Sequence, residues 1–205
     1  MVKRKKSINL KKYLAEGALI VFSVLFALFI NRISENIKLE NRKGIAKESI
    51  KKELVQNAAI IKNWQEKHKV ILERISSVMS GENDSLKIEF QEYDYFNLGL
   101  LTNNESIIDE VVTDTAWETT KSTELLSEFD FEISQNLTYV YKLQEILSEK
   151  TMNKILDIYF DINTQNLNNL DYTLIQFNLL FQEATGQENL LLDLYEKAIS
   201  SLNKE

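Results

Sequence analysis

The sequence predicts an all-α protein built from an N-terminal transmembrane helix, a polar helical stalk and an antiparallel helical bundle. Three observations carry that expectation. The run from Tyr13 to Ile30, YLAEGALIVFSVLFALFI, holds one charge in eighteen residues. The chain has no proline and only five glycines in 205 residues, where average usage would bring about ten prolines, so few positions force a helix to stop. From Ile50 to Val78 the large residues recur at alternating steps of four and three, the spacing of one helical face.

The chain opens on a basic tail, residues 1–12, with six cations: Lys3, Arg4, Lys5, Lys6, Lys11 and Lys12. The transmembrane helix is expected over residues 13–31. At ~1.5 Å per residue its apolar run is about 27 Å long, close to the ~30 Å hydrocarbon layer of a bilayer. A cleaved secretory signal opens in the same way, but the exit Ala27-Leu28-Phe29-Ile30-Asn31-Arg32 lacks the small residues that a cleavage site needs. A buried helix of a soluble core is a third reading, and the Lys and Arg residues at both ends speak against it.

Helical spacing puts Glu16, Ile20, Ser23, Ala27 and Asn31 on one face of this helix. Small and polar residues on one stripe are how membrane helices pack together, which makes Glu16, Ser23 and Ala27 candidates for self-association. The simpler alternative places Glu16 at headgroup depth beside Lys12.

Residues 32–49 continue the heptad register through Lys47, Lys43 and Glu40, and so read as a helical stalk with polar faces. Its five cations, Arg32, Lys38, Arg42, Lys43 and Lys47, are spread thinly among Glu35, Glu40 and Glu48. The tail is the more strongly basic flank, so the positive-inside rule puts the N-terminus in the cytoplasm and the C-terminal body outside it.

The bundle is expected over residues 50–205. Its first helix carries the seam Ile50, Leu54, Asn57, Ile61, Trp64, His68, Ile71, Ile75 and Val78, broadened by Val55, Ala58, Val70 and Leu72 into a stripe suited to a bundle. Asn57 and His68 are the polar members of this seam, where such residues set register or partner number. The turn cluster Gly81-Glu82-Asn83-Asp84-Ser85 ends the helix, and the alternation of Leu86, Ile88 and Phe90 suggests a short extended piece.

Thr102-Asn103-Asn104-Glu105 has capping-box spacing and predicts a helix from about Asn103 to Ser122, with Ile107, Ile108, Val111, Val112, Ala116 and Trp117 turned inward. A longer helix follows from about Asp130 to Ile162, carrying Ile133, Leu137, Val140, Leu147, Ile155 and Tyr159, with Tyr139, Tyr141 and Phe160 beside them. Two last helices are expected over Asp171 to Ala184 and Gly186 to Leu202, separated by a second capping-box spacing at Thr185-Gly186-Gln187-Glu188.

The same residues predict no catalytic, cofactor or metal site. The single histidine, His68, lies in the seam, and no Gly-x-Ser-x-Gly elbow accompanies it. A di-iron bundle needs two Glu-x-x-His pairs, which one histidine cannot supply. Five scattered glycines form no phosphate cradle. Asp161-x-Asn163-x-Gln165 starts like a calcium loop but has Asn166 where glycine is required and Tyr172 where the closing glutamate belongs. Without cysteine there are no disulfides or thiolate ligands.

Charge is polarised along the chain. Residues 1–75 hold 17 Lys and Arg against 7 Asp and Glu, and the other 130 residues hold 7 against 24, giving the net −7. The acidic body argues against nucleic acid as a partner, and the basic collar suits an anionic lipid surface.

The segments YLAEGALIVFSVLFALFINR and TAWETTKSTELLSEFDFEISQNLTYVYKLQE, joined by a charged helix, resemble a group of uncharacterised bacterial single-pass membrane proteins. That similarity covers the anchor, the stalk and roughly residues 104–145. It implies a single-pass topology and a bacterial source, and no activity comes with it; the location expected for such a chain is the inner membrane. The function expected from the sequence is therefore a membrane-anchored interaction or scaffold module that is not an enzyme. It would meet the lipid bilayer and either further copies of itself or another membrane protein. The alternative is a sensory ligand-binding bundle that signals through a partner.

Overall fold

The computed structural model describes residues 10–203, with side chains from residue 13 onward. Every regular element among them is helical. Most of the expected basic tail, residues 1–9, lies outside the described residues. The chain divides into two compact units between Ile45 and Ala46.

The first unit holds the N-terminal part of helix α1, Leu10–Met79. From residue 13 to residue 30 every side chain is exposed, with Leu14, Leu19 and Phe22 at 66%, 68% and 67%. The segment is long and apolar enough to cross a bilayer. Side-chain contacts within it run along the helix axis. Phe22 and Phe26 stack one turn apart, and the Ser23 hydroxyl donates to the Leu19 carbonyl at 2.8 Å. At the polar exit Asn31 donates to Glu35, also at 2.8 Å.

The second unit, from Ala46 onward, is a bundle around three long helices. They are the C-terminal part of α1, a composite of α5 (Phe131–Glu145) and α6 (Met152–Phe160), and α8 (Leu170–Leu202). A π-helical stretch, Ile146–Thr151, joins α5 to α6 without breaking the helix. All nine expected seam positions of α1 are buried, from Ile50 to Val78.

Directions follow from the bonded pairs. Glu53 meets Tyr141 and Asn57 meets Gln144, so α5 runs parallel to α1. Gln65 meets Asn189, and Tyr195 meets Gln144, so α8 runs antiparallel to both. At one end α2 (Asp84–Gln91) and α3 (Gly99–Thr102) close the core through Phe90, Phe96 and Phe177, whose rings stack at centroid distances of 5.4 Å. Two shorter helices complete the unit, α4 (Thr115–Ser122) and α7 (Ile162–Gln165).

The structure corrects several expectations. Residues 86–90 are helical rather than extended, because the Asn83 side chain accepts the Leu86 amide at 3.1 Å and starts α2; Ile88, at 59% exposure, has no apolar face to join. The α1 stripe is not broadened by Val55 and Val70, which are 52% and 43% exposed, but by Glu53 and Gln65, which are buried. Tyr139 and Phe160 also point to solvent, and Tyr159 is half-buried.

The two last helices are one. Thr185 donates to the Phe181 carbonyl at 2.9 Å instead of capping a new helix, and α8 passes straight through Gly186. The reason is burial. Leu174, Phe177, Phe181, Ala184, Glu188, Leu191, Tyr195, Ala198 and Leu202 form an unbroken buried seam at alternating steps of three and four, which outweighs the roughly 1 kcal/mol cost of a glycine within a helix.

The largest correction concerns residues 103–114. No helix begins at Asn103. Asn103 and Asn104 are both left-handed, with φ of 56° and 60°, and the chain then runs as an irregular strap until α4 starts at Thr115. The strap's ends explain why. Arg74 donates to the carbonyls of Leu100 and Leu101, and Glu53 accepts the amides of Ala116 and Trp117. Those two α1 residues lie about 31 Å apart along the helix axis, whereas fifteen helical residues would cover only about 22 Å. A strap tied at both points must be extended.

Candidate functional site

Side chains of α1 hold the strap by its backbone. Trp64 Nε1 donates to the Glu110 carbonyl at 3.1 Å, and His68 Nε2 faces the Ile107 carbonyl at 3.2 Å. Asn57 engages Thr113 from both sides: Oδ1 accepts the Thr113 amide at 3.0 Å, and Nδ2 donates to the Thr113 carbonyl at 2.6 Å. This two-point contact is what a neighbouring β-strand would supply, delivered here by an amide side chain. From His68 to Asn57 the helix advances about 16 Å, which the six steps from Ile107 to Thr113 match at ~2.7 Å each, near an extended chain.

Only alternate parts of the strap sink inward. Ile107 and Val112 are buried, while Val111 is 73% exposed. Between the two sockets, Asp109 accepts from Lys67 at 2.6 Å and from Asn63 at 3.1 and 3.2 Å. Hydrogen bonds from Lys67 hold the Asp109 carboxyl below the usual carboxylate range, and the same contact raises the Lys67 ammonium.

A buried polar network continues beneath the strap. Glu53 accepts the Ala116 amide at 2.8 Å and the Trp117 amide at 3.3 Å, and so caps α4 from another helix, while Asp114 makes no side-chain cap of its own. The same carboxylate accepts the Tyr141 hydroxyl at 2.6 Å, and Trp117 stacks on the Tyr141 ring at 5.1 Å. Gln144 donates to the Thr113 carbonyl at 3.1 Å, and its oxygen accepts from Asn57 and from the Tyr195 hydroxyl at 3.0 and 2.6 Å. Burial raises the pKa of both tyrosine hydroxyls well beyond the phenolic range, and for Tyr141 the hydrogen bond to Glu53 adds to it.

The second expected seam residue, His68, is fully buried against Glu188 of α8, with Nδ1 2.5 Å from Oε1. Both ring nitrogens face acceptors, Nδ1 the Glu188 carboxyl and Nε2 the Ile107 carbonyl. Both nitrogens of the ring are thus committed to holding the strap to α1 and α1 to α8.

The structure therefore brings Asn57 and His68 into one constellation with Glu53, Trp64, Gln144 and Glu188. Sequence reasoning passed over Glu53 and Gln144, placed Trp64 in the seam without a polar role, and read Glu188 only as part of a capping box. Glu188 was detectable, since it falls in the buried heptad of α8 opposite a histidine in the heptad of α1.

Glu16, Ser23 and Ala27 share one exposed face of α1 in the first unit. Asp161 caps α7 by accepting the Asn163 amide at 2.7 Å, which gives the former calcium-loop candidate a local structural use. Among the described residues no three His, Asp or Glu side chains converge to hold a metal ion.

Between strap and α5 an open groove of about 640 Å³ is lined by Val111, Val112, Trp117, Leu126, Tyr141 and Glu149, among others. A second open groove, of about 580 Å³, lies between α6 and the start of α8. Its lining mixes polar side chains with Ile158 and Tyr172. No family model, curated protein or solved structure matches the chain.

Proposed function

We propose that the chain is a single-pass bacterial membrane protein whose helical body is a docking module for another protein and performs no catalysis. The observation that carries the reading is the apolar run at residues 13–30, which is exposed throughout this chain's own fold and has the length of a bilayer core. A chain with such a segment stays in water only at a large hydrophobic cost, and a membrane removes that cost.

The body supports docking over small-molecule sensing. An enclosed apolar cavity suits a sensor, whereas both grooves are open and mixed in lining, as protein-binding surfaces are. In this reading the N-terminus is cytoplasmic, the body lies outside the inner membrane, and the face bearing Glu16, Ser23 and Ala27 packs against another membrane helix, in a further copy or in a partner.

The test is carbonate extraction of the full-length protein from native membranes, combined with protease treatment of intact spheroplasts. Retention in the pellet with the N-terminus intact, and digestion of the body from outside, is the expected result. Release into the supernatant, or a product trimmed just after Ile30, would refute anchoring; protection of the body would reverse the orientation.

A further inference from the structure

The contacts that hold the strap are those with which a protein reads a foreign peptide. Three backbone carbonyls, of Ile107, Glu110 and Thr113, are met by side chains of α1 alone or with α5, and the Thr113 amide is met as well. A ladder that reads main chain accepts any extended sequence, and specificity then comes from pockets for particular side chains. Here those are the sockets of Ile107 and Val112, five residues apart, and the Lys67–Asn63 clamp on Asp109.

The strap is also built to leave. It is preceded by two residues in the left-handed region, Asn103 and Asn104, where a side chain costs about 1 kcal/mol and the chain turns sharply. Apart from its two sockets it rests on side-chain contacts, and its flank toward α5 already borders the open groove. Segments with few buried apolar contacts open at lower free energy than the core around them.

We propose that the furrow along α1 is a peptide-binding groove occupied in cis by residues 105–114. Its partner is an extended protein segment with two aliphatic residues five apart and an acidic residue two after the first, and such a segment displaces the strap. Asn57, Trp64 and His68 bind the incoming backbone, Lys67 selects the acid, and the cis strap sets the threshold that a partner must exceed. This rests on the reading of the body as a docking module and gives that module a ligand class.

The probe is a fluorescein-labelled peptide of sequence ESIIDEVVTD, the strap itself, titrated against the full chain in nanodiscs by fluorescence anisotropy. A chain carrying Ile107→Asp with Val112→Asp vacates the sockets and is expected to bind the probe at least tenfold more tightly than the wild type. In that background Lys67→Glu should reverse the preference, favouring a probe with Asp109→Lys over the original by at least fivefold. Equal binding by opened and wild-type chains, or indifference to the charge exchange, overturns the proposal.

Should the opened chain lose its helical circular dichroism, hydrogen exchange on the wild type decides. The Thr113, Ala116 and Trp117 amides, which Asn57 and Glu53 accept, are expected to exchange together at least a hundredfold faster than those of Ile50 to Val78, and equal protection means that the groove never empties. Failure of these tests in a protein that still resists carbonate removes strap displacement alone, whereas loss of carbonate resistance removes the anchor alone.

Discussion

Glu53 is the residue on which the strap, α4 and α5 converge, and Glu53→Ala isolates its worth. The substitution takes away the acceptor of the Ala116 and Trp117 amides and of the Tyr141 hydroxyl, in a place where the Glu53 side chain is only 6% exposed. Losing an N-cap costs about 1 kcal/mol. Losing a hydrogen bond to a charged acceptor, with its donor left in the core, costs roughly 2 kcal/mol. The sum is about 3 kcal/mol, and in a domain of this size that lowers Tm by roughly 9 °C.

Urea unfolding of the full chain in detergent, followed by tryptophan fluorescence, gives the number, since Trp117 stacks on the tyrosine concerned. A double-mutant cycle with Tyr141→Phe separates capping from pairing, with an expected coupling of about 1 kcal/mol. If Glu53→Ala costs less than about 0.5 kcal/mol, or if the two substitutions add without coupling, the carboxylate is not the tie described here.

Two further outcomes follow from buried groups. Tyr141 and Tyr195 are both raised above their ordinary value near 10, so the folded state keeps their protons where the unfolded chain loses them. Their contribution to stability is complete below pH ~10 and declines above it, at about 1.4 kcal/mol per pH unit for each tyrosine. Urea midpoints measured from pH 9 to 11.5 should show that decline, with Tyr141→Phe and Tyr195→Phe each removing one share of the slope; an unchanged slope in both variants refutes it. Gly186 lies inside α8, where a Cβ meets nothing within 4 Å, so Gly186→Ala should raise stability by about 1 kcal/mol in the same assay. A neutral or negative result would mean that α8 is interrupted there after all.

The long seams of the fold were legible because heptad spacing is a signal repeated over many residues. Every position of the predicted seam from Ile50 to Val78 is buried, although Val55 and Val70, expected to broaden it, are exposed. Where the reading rested on a short local signal, it yielded to tertiary structure. Thr185-Gly186-Gln187-Glu188 spells a helix start, yet the buried positions on either side of it continue one register, and the Thr185 hydroxyl is satisfied within the turn before it. Thr102-Asn103-Asn104-Glu105 spells another, and there the demand came from elsewhere: the strap has to span more of α1 than a helix of its length can reach.

The constellation under the strap was half legible for a related reason. Polar residues in an apolar seam announce that something must satisfy them, and Asn57 and His68 stood out on that ground. What satisfies them is backbone of an irregular segment, and irregular backbone leaves no periodic trace in a sequence. The two observations are one requirement seen from both sides: a strap without secondary structure has unpaired carbonyls that need donors, and a seam with Asn57, Trp64 and His68 has donors that need carbonyls. A polar residue in a predicted helical seam therefore points outward along the chain, to a nearby stretch whose own pattern is weak. In this protein that stretch is residues 105–114, which the α1 donors hold by main-chain atoms.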